Sequence, residues 1–142
     1  MRGLLADVNI QGHRDYLLDL LEARDLRGVL ESLELRLVTF PDVGLDRRID
    51  DRTLWGYCQD EQWVLFTEDR NDDGPDSLQR TLDDSWALGH LPVLTLSNKG
   101  RFENNRNYAD RVADDVATVL FGICCDGSFC DHPRIYIPFR WP

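Results

Sequence analysis

The sequence predicts an α/β fold in which helices cover both faces of a mostly parallel central sheet, giving three α/β/α layers. Short apolar segments of strand length alternate along the chain with longer segments of helical periodicity. The length of 142 residues is typical of one domain. The balance of 42% hydrophobic and 30% charged residues is that of a globular protein. Together these observations favour one α/β core.

Four short apolar segments are predicted as strands. The clearest is Trp63-Val64-Leu65-Phe66-Thr67, a continuous apolar run of the kind that is buried on both faces of a parallel sheet. Pro41 is expected to end the second segment, because proline cannot donate a hydrogen bond to a neighbouring strand. The four predicted strands cover residues 4–10, 35–40, 63–67 and 92–96.

Apolar residues at helical spacing predict the connecting helices. Asp76 or Ser77 is expected to cap the fourth helix, since both side chains can accept a hydrogen bond from the first turn. The last long helix is expected to end near Gly122. The predicted helices cover residues 16–22, 26–33, 46–62, 76–88 and 108–122.

The chain after Gly122 departs from this alternation. Residues 123–142 carry three of the four cysteines and end in the aromatic-rich stretch 135–142. We therefore expect an α/β domain over residues 1–122 and a C-terminal extension over residues 123–142. The apolar side chains of the extension predict that it packs on the domain as a ribbon or an edge strand.

The charge and the hydropathy pattern limit the compartments and partners. The formal net charge of −10 disfavours nonspecific binding to phosphate backbones. No apolar run approaches the roughly 20 residues that span a bilayer, and the apolar part of the N-terminus is too short for a signal peptide. We expect a cytoplasmic protein that does not bind membranes.

Acidic residues mark the candidate site. Asp7 lies near the end of the first predicted strand and Asp69 follows the third, while Asp51 lies at the start of the helix before the third strand. In an open parallel sheet, sites form beyond the carboxyl ends of the strands. Three carboxylates at that edge would suit a hard divalent cation such as Mg²⁺. Each acid also has a structural interpretation, as a helix cap, a first-turn residue or a turn former.

Four short motifs, taken in order, resemble those of the small prokaryotic PIN-like proteins. The resemblance extends over residues 4 to about 120. The motifs are Leu5-Ala6-Asp7-Val8-Asn9 in the first strand, Asp42-Val43-Gly44-Leu45 after the second, Asp51-Arg52-Thr53-Leu54 at a helix start and Thr67-Glu68-Asp69 at the end of the third strand.

The resemblance implies a metal-dependent ribonuclease of the kind used by VapC-like toxins. Asp7, Asp51 and Asp69 would be its catalytic, metal-binding acids, with Asp72 or Asp73 completing a Mg²⁺ or Mn²⁺ site. A metal-activated water would then attack an RNA phosphodiester. The chain departs from the family pattern where Val8 and Asn71 replace acids, so a PIN-like domain that has lost activity and acts through a protein partner is the alternative.

The same hypothesis names substrate-binding residues and partners. Asn9, Arg52, Arg70 and Asn71 are expected to contact RNA. Phe102 and Tyr108 are candidates for stacking on a base, although core packing is the ordinary role for Tyr108. The expected partners are RNA, an antitoxin or other protein partner, and a second copy of the chain in a homo-oligomer.

The residues also suggest two other functions. Cys124, Cys125, Cys130 and His132 lie close together in the sequence, and the spacing of Cys125 and Cys130 fits one half of a zinc site, but the second half is missing because only His132 follows. A phosphoryl-accepting receiver domain also gathers acids at strand ends. It would need paired acids after the first strand and a lysine ending the last strand, and neither is evident.

Overall fold

The computed structural model describes residues 1–68 and 77–139. Within these ranges the chain forms five strands and seven α-helices. The strands are β1 (Gly3–Ala6), β2 (Arg36–Val38), β3 (Trp63–Glu68), β4 (Val93–Leu96) and β5 (Arg134–Ile137). The helices are α1 (Arg14–Ala23), α2 (Arg27–Ser32), α3 (Phe40–Val43), α4 (Asp51–Glu61), α5 (Leu78–Ser85), α6 (Lys99–Asn104) and α7 (Arg106–Asp126).

The five strands form one sheet in the order β2-β1-β3-β4-β5, and every neighbouring pair is parallel. The chain runs outward from β1 to β2, then returns past β1 and adds β3, β4 and β5 on the other side. The direction of winding thus reverses between β1 and β3. In doubly wound sheets, this reversal opens a crevice at the carboxyl ends of the two strands, where ligands bind.

Successive residues of the central strands enter two different hydrophobic clusters, as the two-residue period of a strand requires. Leu4 and Phe66 belong to a cluster with α1, α2, α6 and α7. Leu5 and Leu65 belong to a second cluster with α3, α4 and α5. The α/β class and the parallel sheet predicted from the sequence are therefore confirmed.

Gly3 allows β1 and β2 to approach closely. Its backbone adopts φ +141°, a conformation that side chains with a Cβ rarely adopt. A Cβ at this position would lie 2.0 Å from the carbonyl oxygen of Arg36, its register partner on β2. The pairing of β1 with β2 therefore depends on glycine.

Several helix boundaries differ from those predicted. Thr39 and Asp42 form a capping box around α3, so Pro41 lies in the first turn of a helix. Asp50 then caps α4 by accepting a hydrogen bond from the Thr53 N–H, which places the start of α4 five residues later than predicted. Ser77 caps α5 as expected, accepting from the Arg80 N–H.

The C-terminal segment is continuous with the domain. Helix α7 runs four residues past Gly122 to Asp126, so the boundary drawn between residues 122 and 123 falls inside this helix. Strand β5 then pairs with β4 at the edge of the sheet and buries Ile135 and Ile137. The buried Asp115 carboxylate of α7 accepts a hydrogen bond from the main-chain N–H of Phe139 at 2.8 Å.

None of the helices in residues 1–68 and 77–139 combines the length and the apolar character that crossing a membrane requires.

Candidate functional site

The topology places several polar groups at the carboxyl edge of the sheet. Asp7 follows β1 directly, and Thr67 lies near the end of β3. Helix α4 ends one residue before β3 begins, so it runs back from the carboxyl edge and carries Asp51 at its first position. Both Asp7 and Asp51 therefore lie on the side of the molecule where parallel sheets bind ligands.

Asp7 is a buried carboxylate at the point where the winding reverses. Asp7 is only 3% exposed to solvent. One carboxylate oxygen accepts the main-chain N–H of Val8 at 2.6 Å, and the other accepts the Thr67 hydroxyl at 2.9 Å. The main-chain N–H of Asp7 also donates to the carbonyl of Phe66 at 2.8 Å, which extends the β1–β3 pairing by one residue. The carboxylate is thus fixed in orientation by both strands.

Helix α4 carries Cys58, which is buried in the second hydrophobic cluster. Burial raises the pKa of the Cys58 thiol, and the negative charge of Asp7 raises it further. Cys58 is consequently a neutral thiol.

Asp51 connects α4 to the next helix. One of its carboxylate oxygens accepts the main-chain N–H of Leu78, the first residue of α5, at 3.1 Å. This contact satisfies a donor that the first turn of a helix leaves without an intrahelical partner. The structure therefore gives Asp51 the structural role of a capping acceptor at α5 as well as its place at the carboxyl edge.

The remaining predicted acids and two predicted substrate residues lie outside the described residues. These are Asp69, Arg70, Asn71, Asp72 and Asp73. Within residues 1–68 and 77–139, no group of three or more histidine, cysteine, aspartate or glutamate side chains is arranged to hold a metal ion. The described part of the chain thus supplies two candidate acids, Asp7 and Asp51, at the edge where the third was predicted.

The two described substrate candidates differ in their surroundings. Arg52 donates to a carboxylate oxygen of Asp84 at 3.1 Å, which ties the start of α4 to α5. Asn9 lies two residues after Asp7, and both polar atoms of its side chain are buried without a hydrogen-bond partner in the described ranges. The main-chain carbonyl of Asn9 accepts a hydrogen bond from the ammonium group of Lys99 at 3.1 Å. Asn9 and Lys99 therefore lie together beside the end of β1.

A row of polar side chains crosses the sheet at the level of Asp7, and sequence reasoning missed it. Thr67 on β3 is in register with Thr95 on β4, and Thr95 is in register with Tyr136 on β5. Thr95 is fully buried, and its hydroxyl has no hydrogen-bond partner within the described ranges. The sequence signal for this row was Thr95 inside the apolar run of β4. Its alignment with Thr67 depends on the pairing of β3 with β4, which the sequence does not show.

The two aromatic residues proposed to stack on a base are buried. Phe102 is fully buried between α6 and the core, and Tyr108 is 2% exposed on α7. Burial removes their faces from solvent, so the stacking hypothesis is wrong for this structure. Among the described residues, Tyr136 and Phe139 are exposed aromatic side chains near the carboxyl edge.

The cysteine-rich segment spans the end of α7 and the turns that follow it. Cys124 and Cys125 are exposed at the end of α7, and Cys130 is partly buried. None of them joins a group of three potential metal ligands in the described part of the chain. His132 instead lies 3.5 Å from the carboxylate of Asp131.

The strand order bears on the receiver-domain alternative, since receiver domains share the order 2-1-3-4-5. A receiver would also need a lysine at the end of the last strand. Strand β5 ends at Ile137, and the single lysine of the chain, Lys99, follows β4 instead. The residues at the edge therefore do not reproduce a receiver site.

No protein-family model matches this chain, and neither the search of curated proteins nor the search of solved structures found a similar protein.

Proposed function

We propose that this protein is a metal-dependent ribonuclease of PIN-like type, with a three-layer α/β/α fold and Asp7 at the centre of its active site. The observation that carries the proposal is the placement of Asp7. A carboxylate only 3% exposed lies at the carboxyl end of β1, at the point where the winding reverses. This is the position at which doubly wound sheets bind ligands.

The donor set of this edge fits Mg²⁺ or Mn²⁺. These hard cations bind through one or two carboxylates and complete their coordination with water and substrate oxygens. Asp7 and Asp51 provide two such carboxylates, and Asp69, Asp72 and Asp73 follow β3 in the sequence. A bound divalent ion in such a site supplies a nucleophilic water and neutralises charge on the phosphate.

The chain's own residues orient the site. Thr67 and the Val8 N–H hold the Asp7 carboxylate from two directions, so it does not need to be ordered when a ligand arrives. Asp51 is held by its contact with the first N–H of α5. Lys99, beside the carbonyl of Asn9, adds a positive charge near the end of β1 that suits a phosphate.

The second candidate is a noncatalytic PIN-like domain that acts through a protein partner, such as the antitoxin of a toxin–antitoxin pair or a second copy of the chain. The net charge of −10 favours it, because that field repels RNA. The capping contact of Asp51 with Leu78 also favours it, since that contact gives the carboxylate a structural role without a metal.

Cleavage of labelled RNA in Mg²⁺, in Mn²⁺ and in EDTA separates these candidates. The nuclease cuts only with metal, and Asp7→Asn reduces the rate by a factor of at least about 100, as expected for loss of a group that holds the reacting site. Asp60→Asn is the matched control, because Asp60 is exposed near the other end of α4. Metal-independent cleavage, or equal rates for wild type and Asp7→Asn, would exclude the proposed active site.

A further inference from the structure

A cleft lies at the carboxyl ends of β4 and β5, beside the proposed metal edge. Its volume is about 440 Å³, within the range of small-ligand sites. Polar and aromatic side chains line it together. They include Ser97, Asn98, Arg101, Tyr108, Tyr136 and Phe139.

The cleft contains a cation that is available to an anion. Arg101 is exposed, and within residues 1–68 and 77–139 its guanidinium has no salt bridge, although the chain carries an excess of acids. Many other arginines of the chain are neutralised, as Arg52 is by Asp84 and Arg106 is by Asp110. An unneutralised arginine in a concave site is suited to bind phosphate through paired N–H donors.

The same cleft exposes two aromatic side chains. Tyr136 is 47% exposed and Phe139 is 40% exposed, whereas Phe102 and Tyr108 are buried. The guanidinium of Arg134 lies 5.9 Å from the centre of the Tyr136 ring, which adds positive charge beside it. An exposed aromatic ring next to a cation is the arrangement with which proteins hold unpaired nucleotides, the base stacking on the ring and the phosphate meeting the arginine.

The position of Tyr136 links this cleft to the proposed active site. Tyr136, Thr95 and Thr67 occupy neighbouring positions across β5, β4 and β3, and Thr67 donates to the Asp7 carboxylate. Thr95 and Thr67 are buried, so the row is not itself a surface, but its register places the cleft and Asp7 at the same level along the parallel strands. The bases of a duplex are already stacked, so only an unpaired base can offer its face to Tyr136.

We propose that the cleft formed by Arg101, Tyr136 and Phe139 binds one nucleotide of single-stranded RNA and directs the strand to the carboxylate edge. This inference rests on the proposed function for its choice of ligand. It adds a binding site and the residues that hold the strand away from the reacting bond.

Binding measured without divalent ions tests this inference separately from catalysis. Fluorescence anisotropy of a labelled oligouridylate at low salt, in EDTA, gives the affinity when no cleavage occurs. Tyr136→Leu is expected to raise the dissociation constant by about fivefold or more, the lower end of the loss for one base stack. Arg101→Ala, which removes the phosphate contact, is expected to raise it by a similar factor. A plot of the logarithm of the binding constant against the logarithm of the salt concentration has a slope that reflects the number of phosphate contacts. Arg101→Ala should reduce the magnitude of this slope by about 0.7, the value for one phosphate contact on a single strand.

Matched variants exclude general effects on charge, hydropathy and folding. Arg36→Ala removes an exposed arginine on the opposite edge strand, and Leu88→Ala removes an apolar side chain that is 79% exposed. Both should bind like wild type, and Tyr136→Phe should retain binding because it keeps the ring. Tyr136→Leu keeps a bulky apolar residue on β5, and its melting temperature shows whether the strand has been preserved.

Three results would overturn the inference: no binding of the single strand by wild type, equal binding by wild type and the cleft variants, or binding of duplex RNA as tightly as of the single strand. Metal-dependent cleavage with unchanged binding by the cleft variants would leave the proposed active site intact and refute the cleft. Loss of binding in those variants without any metal-dependent cleavage would support the cleft and refute the nuclease.

Discussion

Substitution of Asp7 by asparagine distinguishes a metal-binding carboxylate from a structural one. Asparagine has nearly the same shape and still offers an oxygen to either the Val8 N–H or the Thr67 hydroxyl. A structural carboxylate would lose two charge-assisted hydrogen bonds, a destabilisation of about 1–3 kcal/mol. If Asp7 instead belongs to a group of acids that needs a cation, removal of its charge relieves repulsion, and the apo variant unfolds no more easily than wild type.

The effect of metal on unfolding gives the expected magnitude. A metal present at 100 times its dissociation constant stabilises the folded state by about 2.7 kcal/mol. A chain of 142 residues has an unfolding entropy of roughly 0.3 kcal/mol/K, from about 2.1 cal/mol/K per residue. Wild type should therefore melt about 9 °C higher in saturating Mn²⁺ than in EDTA.

Differential scanning calorimetry with and without Mn²⁺ measures both effects. Asp7→Asn should lose the shift, and Asp60→Asn should retain it, since Asp60 is exposed at the far end of α4. The reasoning is refuted if wild type shows no shift with Mn²⁺. It is also refuted if Asp7→Asn keeps the full shift, because the carboxylate at position 7 would then not bind the ion.

Three further substitutions test the packing of the fold by thermal or urea unfolding. Gly3→Ala should lower the free energy of unfolding by several kcal/mol, because the added Cβ would collide with the backbone of β2. Gly28→Ala is the control: its Cβ would meet no atom within 4 Å, so the free energy of unfolding should stay unchanged or rise by up to about 1 kcal/mol. The hydrogen bond from the Thr39 N–H holds the pKa of Asp42 below its ordinary value, so the Asp42 carboxylate stabilises the fold at pH values above the unfolded pKa near 4 and stabilises it less as the pH falls. Asp42→Asn should therefore lower the free energy of unfolding by about 1 kcal/mol at neutral pH and by less in acid. A loss of stability that does not change with pH would contradict this argument. Asp115→Ala should lower the free energy of unfolding by about 1–3 kcal/mol, because the main-chain N–H of Phe139 would lose its acceptor. Asp115→Asn keeps an acceptor oxygen and should lower the free energy of unfolding by less.

The central strands of the sheet were predictable from the sequence because they are buried on both faces. The apolar run that became β3 has no polar residue before Thr67, and β1 has none, so strand length and composition were sufficient. The acid after β1 followed from the same pattern, since the end of a buried strand is where a polar residue first appears. Asp7 was therefore available as a candidate from the local sequence.

Short helices and cross-strand contacts were not predictable in this way. Helix α6, Lys99–Asn104, contains a glycine and one buried apolar residue, which is too little to show a helical period, although Asn98 before it is a suitable cap. The start of α4 was misplaced because Asp46, Asp50 and Asp51 are all plausible first-turn acids. The contacts of Thr67 with Asp7 and of Asp51 with Leu78 join residues 60 and 27 positions apart, and no local pattern specifies such pairs.

The pairing of β1 with both β2 and β3 has a consequence for how the chain acquires its structure. Gly3 is in register with Arg36 on one side and with Trp63 on the other, so the first strand cannot be enclosed until the third has been synthesised and has left the ribosome. Contacts between residues so distant in sequence raise the contact order and slow folding. Leu4 and Leu5, which are synthesised before β3, should therefore bind chaperones until their partner strand is available.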